Sequence, residues 1–193
     1  QKKIKTNHTL ATELYNTGNS DAQYLAGLIA DPKAFTESDF EKWATLAEWY
    51  MISEYAVAWN LAESPLCIEI CNKWIYGTDS KLQECAWAAL SAHLVVAQND
   101  SLDQTYLLAL TTKIENEIHQ ADNRVRYCMN GFIIALGSAF AELTDTCKAI
   151  GDRIGTVEVF MGETSCKVPV IRTYLDNIES KGRIGKKKKT AKC

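Results

Sequence analysis

Residues 36–64 read TESDFEKWATLAEWYMISEYAVAWNLAES. Trp49, Ile52, Ala56 and Trp59 fall three or four positions apart, the period of a helix that buries one face, and no period-two alternation runs through the stretch. Thr36 or Ser38 is placed to cap a first helix, because a short side-chain oxygen can accept from an unpaired N–H of the first turn. Ser64-Pro65 ends a second, since proline disfavours helical backbone in the residue before it. The stretch is two successive helices, and the pattern continues on both sides.

Upstream, HTLATELYNTG (8–18) sets Leu10 and Leu14 on one face and stops at Gly18. NSDAQYLAGLIAD (19–31) opens on Asn19 and Ser20, turns Tyr24, Leu25, Leu28 and Ile29 inward and ends before Pro32. Downstream, PLCIEICNKWIYG (65–77) carries Pro65 in its first turn. TDSKLQECAWAALSAHLVVAQND (78–100) shows an apolar stripe through Leu82, Cys85, Ala89 and Leu90, with His93 on it as a core histidine. Further helices follow in SLDQTYLLALTTKIENEIHQ (101–120), DNRVRYCMNGFIIALGSAFAEL (122–143), LTDTCKAIGDRIG (143–155) and VIRTYLDNIESKG (170–182). One stretch departs from the period. GTVEVFMGETSCKVPV (155–170) alternates Val157, Val159 and Met161 with polar neighbours, which predicts a short extended excursion or hairpin near 155–168.

About ten helices with short turns, paired at intervals of about 35–45 residues, predict an all-α, HEAT-like alpha-alpha superhelix, a solenoid of antiparallel helix pairs. A compact helical bundle is the alternative. Residues 1–180 read as one helical-repeat domain and residues 181–193 as a basic flexible tail.

The 193 residues carry a formal charge of −3. The last thirteen hold seven Lys or Arg and no acid, which leaves −10 on the rest. Such a distribution suits a protein that meets a polyanion through one face only. No apolar run is long enough to span a bilayer and no secretory leader is recognisable. The seven cysteines, Cys67, Cys71, Cys85, Cys128, Cys147, Cys166 and Cys193, are odd in number and lack CxxC spacing. They read as free thiols of a cytoplasmic protein, with no metal and no cofactor. Cys166 beside Lys167 is the one thiol whose neighbour could activate it.

No phosphate-binding loop, HExxH or Ser-His-Asp arrangement is present. The densest aromatic cluster, Phe40, Trp43, Trp49, Tyr50, Tyr55 and Trp59, surrounds Glu48 and Glu54. Such a cluster is either packed core, with Trp43 and Trp59 inside and the acids solvated, or a cleft where an aromatic face and a carboxylate meet a cationic ligand.

Four segments carry a family resemblance. LYNTGNSDAQYLAGLIAD, LAEWYMISEYAV and DNRVRYCMNGFIIALG resemble the opening helix pair, the Trp-containing segment and a late helix of the DNA alkylation repair family, the HEAT-like 3- and 7-methylpurine DNA glycosylases. The ending, EVFMGETSCKVPVIRTYLDNIESKGRIGKKKKTAKC, resembles a bacterial, Bacteroidetes-like branch of it. The resemblance implies a further helical segment upstream, a concave basic groove on duplex DNA, and hydrolysis of the N-glycosidic bond of cationic N3- or N7-alkylated bases. An alkylated purine is already a good leaving group, so two Trp and one Asp that stabilise the oxocarbenium sugar and the cationic base suffice.

Carried over by residue, Trp49 matches the first aromatic. The acid position holds Ser53, with Glu54 or Glu48 as substitutes, and the second aromatic falls at Gly131 or Phe132. Arg124, Arg126, Lys167, Arg172, Arg183, Lys186, Lys187, Lys188 and Lys189 are the candidate phosphate contacts. The expected partner is double-stranded DNA with alkylated bases, bound by a monomer. The alternative is a non-catalytic helical scaffold for DNA or a protein partner.

Overall fold

The computed structural model describes residues 4–192, so Cys193 lies outside the described residues. Among these are ten α-helices and no strand: α1 (His8–Tyr15), α2 (Ser20–Ile29), α3 (Glu37–Leu46), α4 (Ala58–Glu63), α5 (Cys67–Ile75), α6 (Ser80–Val96), α7 (Gln104–Glu117), α8 (Asn123–Ala139), α9 (Thr144–Ile154) and α10 (Ile171–Ser180). No helix among the described residues is long and apolar enough to cross a membrane. Two compact units form, one built from residues up to 93 and from 189 onward, the other from residues 94–188.

Helix starts in the first unit follow side-chain chemistry. The Asn7 and Asn19 amide oxygens accept from Leu10 N–H at 3.1 Å and Ala22 N–H at 3.0 Å. Thr36 caps α3 in a reciprocal box with Asp39, whose carboxylate accepts from the Thr36 backbone N–H at 2.9 Å. Each cap satisfies donors that the helix leaves unpaired. Below the caps, the fully buried Tyr15 stacks on Trp43 at 3.8 Å and donates its hydroxyl to Trp43 O at 2.6 Å. Trp43 and Trp59 are both interior, as expected.

Between α3 and α4 the helix widens. Residues Ile52–Val57 are π-helical, with Ala58 N–H reaching back five residues to Ser53 O. This segment packs on α2 at Gly27, where a β-carbon would stand 2.5 Å from the Ala56 β-carbon. Only glycine permits so close a crossing. The buried amide of Asn60 bridges the crossing, donating to Gly27 O and Ala56 O at 2.8 Å each. His93 places Nδ1 2.6 Å from Ala62 O; a carbonyl only accepts, so Nδ1 carries the proton.

In the second unit α8 packs on α9 and α10, again at a glycine. A β-carbon on Gly137 would meet Cys147 Cβ at 2.8 Å and Leu175 Cδ1 at 2.9 Å. Lys148, buried in α9, joins Asp176 at 2.7 Å and Glu179 at 2.6 Å on α10. Residues 155–170 are non-helical, the extended excursion the sequence predicts, and no hairpin ladder forms in them.

The basic terminal stretch was expected to be flexible; the structure lays it on the body. Gly185 N–H donates to Ser138 O at 2.8 Å and Lys188 N–H to Val95 O at 2.7 Å. The Lys187 ammonium donates to Leu94 O at 2.6 Å, and that of Lys192 to Ala30 O at 2.8 Å. These acceptors lie at the C-terminal ends of α8, α6 and α2, where carbonyls lack helical partners and the dipole favours cations. That is why lysines without apolar anchors find fixed positions.

Candidate nucleic-acid interface

The cations divide into those already occupied and those that are not. Arg172 forks onto Asp152, with Nε 2.7 and 2.9 Å from the two carboxylate oxygens. Arg126 donates to Ala121 O at 2.7 and 3.0 Å and to Glu158 O at 3.1 Å. Arg124 lies over the Tyr127 ring, 4.3 Å from its centroid, and reaches Met161 Sδ at 3.7 Å. Asn123 exchanges two hydrogen bonds with the Phe160 backbone, at 2.7 and 2.9 Å. Together Asn123, Arg124 and Arg126 tie the start of α8 to the 155–170 excursion. This resolves the cost of arginines at a helix N-terminus: their charges are directed to carbonyls and a ring.

Lys167 is exposed on the same excursion and lines, with Cys166, an open recess of about 640 Å3. Lys181, Arg183, Lys186, Lys188 and Lys189 are exposed, and no acid pairs with any of their side chains among the described residues. Lys187 is half-buried, and burial pushes its ammonium pKa down.

The aromatic–carboxylate group belongs to the first unit. Trp49 is 45% exposed and stacks edge-on with Tyr50 at 5.9 Å. Its carbonyl accepts from Ile52 N–H at 2.7 Å at the entry to the π segment. Ser53 and Glu54 are buried, where Glu54 was expected to be solvated, while Glu48 is exposed. The widened turn carries both residues to the interior side. There the Ser53 hydroxyl donates to the Glu84 carboxylate of α6. Burial, and then the nearby Glu84, Cys67 and Glu54, push the Cys85 thiol well up. Two carboxylates therefore act on the Cys85 thiol. Phe132, the other aromatic sought for the site, is fully buried in the second unit.

The family model for DNA alkylation repair enzymes matches residues 1–146. The chain belongs to this family. Its helical-repeat fold is that of a solved structure 33% identical to it, with a TM-score of 0.91 over 100% of this chain and 82% of the other. That protein represents a new family related to the HEAT-like repeat DNA glycosylases with affinity for branched DNA structures. Two bacterial relatives are the uncharacterized proteins Lin0241 of Listeria innocua, 29% identical, and Lmo0209 of Listeria monocytogenes, 28% identical. Each alignment covers 94% of this chain and 78% of the relative.

Among DNA alkylation repair proteins, the signature sought near Trp49 is an acid. Here the helix position holds Ser53, whose hydroxyl donates to the carboxylate of Glu84, thirty-one residues on. Sequence reasoning missed that pairing. The available signal was Glu84 itself, an acid next to the buried stripe of α6.

Proposed function

We propose that this protein binds branched DNA, and that the cations of residues 181–189 hold its phosphates. The observation that carries this reading is the contrast among cations: Arg153 and Arg172 are paired with acids, whereas Lys181, Arg183, Lys186, Lys188 and Lys189 face solvent without them. The relative with affinity for branched structures supports the choice of DNA form. An acidic body limits attraction elsewhere, which favours one binding face. The test is a titration of the full chain against a four-way junction, a three-way junction and a linear duplex of equal length. Tighter binding of the junctions, weakening as salt rises, is expected; equal affinity for all three, or none, overturns the reading.

Base excision is a second reading, favoured by the exposed Trp49 and by the Ser53–Glu84 pair that begins four residues along the chain. A carboxylate there would stabilise an oxocarbenium sugar while the indole faces the cationic base, and a 3- or 7-alkylpurine needs no general acid to leave. Single-turnover release of free 7-methylguanine from duplex DNA tests it. Release that falls at least tenfold in both W49A and E84Q supports excision; no release from the unaltered protein ends it.

The binding reading takes the protein as a monomer in a reducing compartment, the cytoplasm. Five buried free thiols among the described residues fit such a setting. Sedimentation velocity at micromolar concentration tests the first half of that statement.

A further inference from the structure

A recess of about 590 Å3 lies within the second unit, between α8, α10 and residues 181–188. Its floor is apolar: Val95, Ile134, Ala135 and Ile178, with the half-exposed ring of Tyr174 at one side. Its rim is cationic: Lys181, Arg183, Lys186 and Lys188. No Asp or Glu lines it, and among the described residues no acid pairs with those four side chains. The rim is also fixed. Gly185 N–H on Ser138 O, Lys188 N–H on Val95 O and the Lys187 ammonium on Leu94 O hold the segment across the opening.

These features select a ligand. A bare inorganic anion has no use for an apolar, aromatic floor, and an apolar solute has none for four uncompensated cations. A molecule with one flat, weakly polar face and an anionic group a few ångströms away satisfies both. A nucleotide has that form: its base stacks on an aromatic ring and its phosphate meets Lys and Arg. The volume lies within the roughly 300–1,000 Å3 range of small-ligand sites. Because backbone and Lys187 tethers hold the rim, little ordering cost remains for binding.

We infer that this recess takes one unpaired nucleotide, its base against Tyr174 and Ile178 and its phosphate against Arg183 and Lys186. Such a nucleotide is either free or part of a strand at an incompletely paired branch point; the second source rests on the branched-DNA reading, the first does not.

The test uses the full chain with labelled isoleucine methyls. Titration with 2′-deoxyadenosine 5′-monophosphate is expected to shift the Ile134 and Ile178 resonances, whereas inorganic phosphate or 2′-deoxyadenosine alone does so about tenfold more weakly or not at all. Y174A, at a half-exposed position, keeps the circular dichroism spectrum and weakens nucleotide binding about tenfold. A parallel arm uses a three-way junction with one unpaired 2-aminopurine at the branch. Its fluorescence is expected to quench on binding, and Y174A to lose the quench while keeping its affinity for a fully paired junction. Methyl shifts without junction binding uphold the nucleotide site and defeat the branched-DNA reading. Junction binding with neither methyl shifts nor a Tyr174-dependent quench overturns the nucleotide site alone. Phosphatidylglycerol vesicles shifting these methyls in place of the nucleotide also overturn it.

Discussion

Ser53 donates its hydroxyl hydrogen to Glu84 from a buried position in the widened helix, so the serine at the acid position is itself bonded to a carboxylate of α6. The pair spans two helical segments and removes a polar mismatch from the interior. Ser53→Ala leaves Glu84 without this donor, and a loss of about 1–3 kcal/mol is expected in urea denaturation. A loss under 0.5 kcal/mol would mean that solvent already satisfies the carboxylate.

Two glycine substitutions should move stability in opposite directions. Gly27→Ala forces a methyl group against Ala56 at 2.5 Å and should cost about 2 kcal/mol or more. Gly131→Ala, within α8, meets nothing within 4 Å and should add about 0.5–1 kcal/mol from reduced unfolded-state freedom. Thermal midpoints of the two variants against the parent decide the signs.

The cap of α3 gives a pH dependence. Hydrogen bonds from Thr36, its hydroxyl first and then its backbone N–H, hold the Asp39 carboxyl below its ordinary value. Its stabilisation is therefore fully present above about pH 4 and is lost as pH falls through the lowered folded value. Asp39→Asn should lower the thermal midpoint at pH 7, and the gap should narrow at pH 2.5. Thr36→Ala should cost about 1 kcal/mol at neutral pH.

Salt dependence reports how many terminal cations reach phosphate. Lys187 and Lys192 are engaged with helix carbonyls, which leaves Lys181, Arg183, Lys186, Lys188 and Lys189. Five contacts predict a log–log slope no steeper than about −4.5, instead of the roughly −6 of seven free cations. Replacing Lys186, Lys188 and Lys189 by Ala should flatten the slope by about 2–3. An unchanged slope would place the phosphates elsewhere.

Thiol accessibility separates Cys166 from the other described cysteines. Cys166 is exposed, and Cys67, Cys71, Cys85, Cys128 and Cys147 are buried. Brief iodoacetamide treatment of the native protein, read by peptide mass, should modify Cys166 and spare those five. Comparable labelling of Cys128 would show that the second unit opens on that timescale.

The helices, several caps and the interior tryptophans were legible because they depend on nearest neighbours and on period. Thr36 and Asn19 accept from N–H donors only three residues on. The π segment was not legible: one extra residue per turn leaves the apolar spacing around Ile52 and Ala56 almost unchanged, yet turns Glu54 inward. Part of what engages Arg124 and Arg126 was out of reach of a local reading, because Met161 and Glu158 lie more than thirty residues away. Phe132 read as a ligand-facing aromatic because nothing local distinguishes the interior of α8 from its rim. The terminal lysines read as mobile because their acceptors are carbonyls at the ends of distant helices.

Glu63 and Ala30 wait long for their partners. The Glu63 carboxylate accepts from the Ala191 N–H at 2.6 Å, a contact spanning 128 residues, and Lys192 reaches Ala30 across 162. On the ribosome, residues 94–188 emerge before either contact can form, so the earlier-made unit is finished last. Nascent molecules stalled after residue 188 would carry a complete second unit and a first one still missing the contacts of Glu63 and Ala30, open there to chaperones and proteases.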